Sequence, residues 1–318
     1  MSFGIRAYND NSEVLISSDL KNLHFFSKIT SATSTAEATT LFGGRKLHTY
    51  RVANMPTIPV PFMYMAANNE AGVISVKPTL DANENVVSNS YDIIVLTDGT
   101  EPTLYIFADA TSVSSTDQTG MVVYNSDGSA AFDSRARPLA ITQTAFLSHP
   151  SSPVSSFSNS GLNAKNCGSN GNSTHSTRFT PNTQVVHDVV LPTKPMFFYF
   201  SIAQAQKQTT VTESEEECDG LDAYGNCAGA KRIYFWSSTY WAFYRETIKW
   251  NTSGSGQIIT QYTMSHYDCN YYSTVDGSFV GIGTGGSSVD GGTWPYGNQV
   301  VNTTDSSVCI IGDASRYD

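Results

Sequence analysis

The stretch Gly120 to Ile141, GMVVYNSDGSAAFDSRARPLAI, has a fainter counterpart 116 positions earlier in the chain. Gly120 falls on Gly4, Tyr124 on Tyr8, Asn125 on Asn9, Ser134 on Ser18 and Leu139 on Leu23. This repeat constrains the fold more than any other feature, because whatever the first stretch builds the second must build again. Each copy has a short run of β-branched and aromatic residues ending in Tyr-Asn, then a polar turn, a second short run, a serine and a leucine-containing strand. The turn of the later copy is Asp127-Gly128, where glycine supplies the positive φ of a tight hairpin without steric cost. In the earlier copy it is Asp10-Asn11, and asparagine tolerates the left-handed region nearly as well. Both copies read as β-hairpins, and the chain reads as a tandem duplication.

Composition agrees with an all-β reading. Hydrophobic residues make up 40% of the 318, charged residues only 14%, and Ser, Thr, Asn and Gly fill the balance. Ser, Thr and Asn compete with a helical backbone through their own side chains, whereas 17 Tyr and 16 Phe suit half-buried pleated surfaces. The length accommodates two domains. The expected architecture is mostly β: two tandem related β-sandwich or barrel-like domains, residues 1–119 and 120–318, the second enlarged by long loops at 151–177 and 206–229.

The run Gly-Φ-x-x-Tyr-Asn, a polar turn, then Asp133-Ser134-Arg135-Ala136-Arg137-Pro138-Leu139 resembles the openings of many structural proteins of tailed bacteriophages, particularly tail-tip and tail-fibre-associated proteins. The first copy departs from it, with Ser17-Ser18-Asp19-Leu20-Lys21 in place of the Asp-Ser-Arg run. The resemblance implies a small β module of a virion protein and leaves its particular job open; the expected location is the virion tail, after synthesis in the host cytoplasm. It does not imply an active site.

Strands are expected at His24 to Phe26, His48 to Val52, Phe62 to Ala66, Val73 to Val76, Tyr91 to Leu96 and Thr103 to Phe107, separated by Asn-rich turns and Asp98-Gly99. Thr35-Ala36-Glu37-Ala38 is expected to form one helical turn, and Met55 to Pro61 an extended connector or edge. In the second half, Leu191-Pro192-Thr193-Lys194-Pro195 before Phe197 to Phe200 echoes Met55 to Pro59 before Phe62, now at an offset of 136. Residues have therefore entered between the two landmarks, most simply at Ser151 to Thr177. Arg232 to Trp236 and Trp241 to Glu246 are expected to form a strand pair around Ser237-Ser238-Thr239, with further strands at Gln257 to Met264 and Ser307 to Ile311.

Several motifs fail on their context. Gly281-Ile282-Gly283-Thr284-Gly285-Gly286 has the glycine spacing of a dinucleotide loop, but Ser-Ser-Val-Asp-Gly-Gly-Thr-Trp-Pro follows where a helix is required, so it reads as a flexible loop and no cofactor is expected. The acidic run from Glu213 to Asp222 lacks the order of an EF-hand, and no metal ligand set is assigned. The five cysteines, Cys167, Cys218, Cys227, Cys269 and Cys309, show no zinc spacing; Cys218 and Cys227 are free thiols on the compartment argument or a staple of their loop if the particle is oxidised. The six histidines have no nucleophile pattern. Asp268 and Asp290 are carboxylates among aromatics, but nothing in their spacing marks a glycosidase pair. No enzyme is expected and no catalytic residue is assigned. A formal charge of −10, with 18 Lys+Arg against 28 Asp+Glu, argues against a nucleic-acid partner. No apolar run is long enough for a membrane span.

The remaining functional signal is aromatic. Tyr271, Tyr272, Trp294 and Tyr296 stand among Asn, Asp and Gly, where large rings with polar handles suit a sugar or protein surface. They are the candidate host or partner contacts, whereas Phe235, Trp241 and Phe243 are expected in the core. The chain is thus expected to be a non-enzymatic virion component at the tail tip, baseplate or fibre, with a part in host attachment. Its expected partners are other tail proteins, further copies of itself in a homo-oligomer and a host receptor or glycan. Two other readings stay open, a capsid decoration protein and a polysaccharide-degrading tail protein.

Overall fold

A computed structural model describes residues 6–8, 14–17, 22–37, 46–109, 119–125, 127–150, 184–200, 204–218, 231–275, 278–287 and 307–318. Among them there is no α-helix, only strands and two short 3-10 turns, at Ser134–Ala136 and Ala314–Arg316. In the first half the strands are β1 (Arg6–Tyr8), β2 (Val14–Ser17), β3 (Leu23–Ile29), β4 (Ser34–Glu37), β5 (Lys46–Val52), β6 (Val60–Tyr64), β7 (Ala71–Leu80), β8 (Val86–Thr97) and β9 (Thr103–Asp109). In the second they are β10 (Val122–Tyr124), β11 (Ala130–Asp133), β12 (Ile141–Leu147), β13 (Val185–Asp188), β14 (Pro195–Phe198), β15 (Gln204–Cys218), β16 (Lys231–Asn251), β17 (Gln257–Val275), β18 (Ser278–Ser287) and β19 (Ser307–Asp313).

Two large antiparallel sheets result, and each takes strands from both halves. One runs β12-β19-β14-β6-β9-β3; the other runs β13-β17-β16-β7-β8-β5-β4, with β15 added to β16 and β18 to β17. Read outward from its middle, the first sheet has β6-β9-β3 on one side and β14-β19-β12 on the other. The second has β7-β8-β5 facing β16-β17-β13. The correspondence extends to register. Between β3 and β9 a bulge separates the pairs Phe25↔Phe107 and Ser27↔Ile106; between β12 and β19 one separates Ile141↔Gly312 and Gln143↔Ile311, 116 positions on along β12. The hairpins β1–β2 and β10–β11 carry bulges at Ala7/Tyr8 and Val123/Tyr124, again 116 apart.

The core lies between the sheets and joins the halves. Tyr50, Met63, Ile93, Leu104, Phe197, Ile248, Trp250, Ile258 and Ile311 form it, all buried. Fully burying one such apolar side chain is worth about 1.5–3 kcal/mol. Strand β9 has its sequence TLYIFAD buried almost throughout because both its faces are covered. Leu104 and Ile106 enter the intersheet core, while Tyr105 and Phe107 pack on the far side with Phe62, Met196, Ala314 and Tyr317. There the chain end closes over the sheet: Asp318 accepts from Lys28 Nζ at 2.6 Å, from Tyr105 Oη at 2.7 Å and from Lys194.

The segment that carries the phage resemblance is structural throughout. Asp133 caps the first 3-10 turn, accepting from Arg135 N at 2.9 Å, and grips the Arg135 guanidinium at 2.8 and 2.7 Å. Arg137 then turns the chain at φ 46°. Gly120 is required because a Cβ there would overlap the Arg135 side chain and lie 2.7 Å from Ser134 Oγ. This hairpin docks on the first half: Asn22 N donates to Ala131 O, Phe25 N to Arg137 O and Leu139 N to Leu23 O. Leu23 and Leu139, equivalent in the repeat, are therefore hydrogen-bonded to each other. His24 seals the junction, its Nδ1 against Asn22 O and its Nε2 accepting from Asp133 N, both at 3.0 Å.

Four expectations are corrected. Thr35 to Glu37 lie in β4, pinned by pairing with β5 through Ala36↔Leu47, and not in a helical turn. The excursion from Gln206 is strand as far as Cys218, fully paired with β16. The glycine-rich run at 281–286 belongs to β18, held extended by β17. Ser237-Ser238-Thr239 is not a turn: β16 passes straight through it, because β15 and β17 supply hydrogen-bonding partners on both sides. Residues 151–177 and Cys227 lie outside the described residues.

Candidate functional site

Strand β16 spans 21 residues, which at about 3.3 Å per residue is on the order of 70 Å. Its end, from Glu246 on, lies in the body beside β17, with Ile248 opposite Ala71 of β7. The rest, 231–245, pairs instead with β15, while β17 pairs beyond the body with β18. The result is a four-stranded antiparallel arm, β15-β16-β17-β18, standing off the second sheet. The first half connects the same places with 65–70, between β6 and β7, and 98–102, between β8 and β9. The second half leaves the body at both corresponding points, after β14 and within β17, and the arm lies between them.

Tyr271 and Tyr272 are on the arm, in β17, where Tyr271 pairs with Ser238 and Gly283 and Tyr272 with Ser237 and Ile282. Trp294 and Tyr296 lie outside the described residues, so the structure places two of the four, successive residues of one strand. Phe235, expected in the core, is on the arm with half its surface exposed. Asp268 is also on the arm, between Trp241 and Gly286 in register, and Asp290 lies outside the described residues. The acidic residues Glu213 to Glu217 are on β15.

The root of the arm carries a buried polar cluster that local sequence reasoning misses. Glu246, on β16 and without solvent exposure, accepts at Oε2 from Tyr199 Oη and sits 2.8 Å from His149 Nδ1. Ser307 Oγ stands beside the carboxyl and the Tyr199 hydroxyl without a well-aligned hydrogen bond, and Glu246 Oε1, His149 Nε2 and Tyr262 Oη have no hydrogen-bond partner. Burial pushes the Glu246 carboxyl above the ordinary range, against the opposing pull of Tyr199, His149 and Ser307. Burial and the neighbouring carboxyl together push the Tyr199 hydroxyl well up. The matching positions of the first half carry different residues. Met63 lies 136 positions before Tyr199, Thr33 lies 116 before His149, and Gly72, opposite Leu96, stands where Glu246 stands opposite Tyr262. The signal available in the sequence is this difference between the matched positions of the two halves.

Among the described residues no group of three or more His, Cys, Asp or Glu is placed to hold a metal ion. In comparisons with known proteins, the chain matches no family model, no curated protein and no solved structure.

Proposed function

We propose that this protein is a non-enzymatic structural component of a tailed-phage virion, located at the tail tip, baseplate or fibre, and that its arm is the outward element that meets a host surface. The observation that carries the reading is the arm: four long paired strands rooted in a double sheet, with the candidate contacts Tyr271 and Tyr272 on its length. The hairpin that resembles phage tail modules supports the particle, since it serves as a docking piece, holding the two halves together by backbone hydrogen bonds. On this reading the chain arose by tandem duplication of a β-sandwich unit. Residues 1–119 and 120–318 are then two related domains fused edge to edge through β6–β14 and β7–β16. The partners are other tail proteins, further copies of the chain and a host receptor or glycan.

The test is mass spectrometry and antibody-gold labelling of purified particles. Label at the tail end is the expected result. Label over the head would make the chain a capsid decoration protein, and absence from the particle would end the virion reading.

A further inference from the structure

Among the described residues, the Glu246 cluster stands where the strands of the arm leave the body, beside the end of β12 and the start of β19. Tyr199 follows β14, just before the chain enters β15; Glu246 is where β16 passes from arm to body; Tyr262 is on β17 just before it leaves; Ser307 opens β19 on the return; His149 follows β12. One carboxyl therefore touches or faces the roots of all these segments. Cys309, buried on β19, is the other titratable group facing Tyr199, and Tyr244, also buried, lies two residues from Glu246 on β16.

The hydrogen bonds define how much charge the site tolerates. Glu246 Oε2 has two neighbours, Tyr199 Oη and His149 Nδ1, while Oε1 and His149 Nε2 have none. With one proton between carboxyl and imidazole the pair has no net charge. Removing that proton leaves a lone anion with a bare oxygen; adding a second leaves a lone cation with a bare N–H. Either charge is buried without a counter-ion, the arrangement a protein interior tolerates least.

We propose that this cluster is a proton-operated latch, which fixes the arm to the body while carboxyl and imidazole share one proton and frees the root when that proton is removed or a second is added. The latch concerns the arm's attachment and does not depend on which particle or surface the protein serves. The first half, with Met63, Thr33 and Gly72 at the matching positions, has short links there and no such device.

The test is hydrogen–deuterium exchange of the full chain from about pH 4 to about pH 10, corrected for intrinsic exchange. Peptides covering 195–200, 244–250 and 307–311 report on the root, and peptides from β5 and β8 serve as the internal reference. Root protection is expected to hold a plateau and to fall by about tenfold, the factor given by one pH unit of displaced titration, on at least one side of it while the reference stays level. Glu246→Gln, which keeps the side chain's size but cannot titrate, is expected to flatten the root profile. Root and reference moving together in the wild type, or an unchanged profile in Glu246→Gln, would overturn the latch. If Glu246→Gln does not fold, His149→Gln takes its place: it must displace the plateau, and a plateau left where it was overturns the proposal equally.

Discussion

Gly72 and Glu246 meet backbone to backbone at the seam between the halves: a Cβ on Gly72 would stand 3.0 Å from the Glu246 carbonyl oxygen and 3.4 Å from Thr247 Cα. Those neighbours are main chain and cannot swing aside. Gly72→Val is expected to push β7 from β16 and to lower stability by about 1–3 kcal/mol, the usual cost of overpacking. A urea midpoint that drops with the slope unchanged is the expected readout; an unaltered midpoint would mean that the seam yields freely.

His24 predicts acid sensitivity. Its Nδ1–H donates to Asn22 O and its Nε2 accepts from Asp133 N, so the ring is held neutral, and burial lowers its pKa from the ordinary value of 6.5. A depressed folded pKa gives stability that is fully present above the unfolded value and lost as pH falls through the folded one. Urea midpoints taken from about pH 7.5 down to about pH 5 should fall in the wild type and fall less in His24→Gln. Parallel slopes would show that His24 does not titrate with unfolding.

Tyr317 fastens the chain end to the outer face of the first sheet. Its hydroxyl accepts from Ala140 N at 2.8 Å and donates to Pro138 O at 3.0 Å, and its ring meets Phe107 edge-on at 5.0 Å. Tyr317→Phe keeps the ring and strips both hydrogen bonds, leaving a half-buried N–H and C=O short of a partner; a loss of about 1–3 kcal/mol is expected. Tyr317→Ala should cost about 3–5 kcal/mol. Thermal melts that rank the three proteins otherwise would contradict the packing described.

On the proposed attachment role, the arm and the body are separable by function. Replacing Tyr271 and Tyr272 together with alanine should weaken attachment to host cells by about tenfold or more, as loss of an aromatic contact of about 1.4 kcal/mol or more would. The urea midpoint of the body should be unaffected. Attachment at the wild-type level would remove these two residues from the contact.

Much of the frame is legible in the sequence alone. The repeat placed both hairpins, and its two offsets, 116 and 136, correspond to β3–β12 and to β6–β14. Strands such as β5, β8, β9 and β19 announce themselves by apolar runs between turn residues. What local sequence cannot convey is pairing. Ser237-Ser238-Thr239 and the glycines of β18 look like turn and loop because their own propensities are weak; they are extended because neighbouring strands fix them. Glu246 is the extreme case. Nothing near it marks it as special, since Tyr199 and His149 reach it from 47 and 97 positions away.

Strand β16 has one more consequence, a mechanical one. It is a single covalent run from the far part of the arm at Lys231 to Asn251 in the body, hydrogen-bonded to β17 along nearly its whole length. A pull along its axis loads those bonds side by side in shear, so they share the tension rather than opening in turn as a peeled hairpin does. Force applied at the arm thus arrives at the seam between the two halves, where β16 lies against β7, and does not dissipate in a flexible hinge.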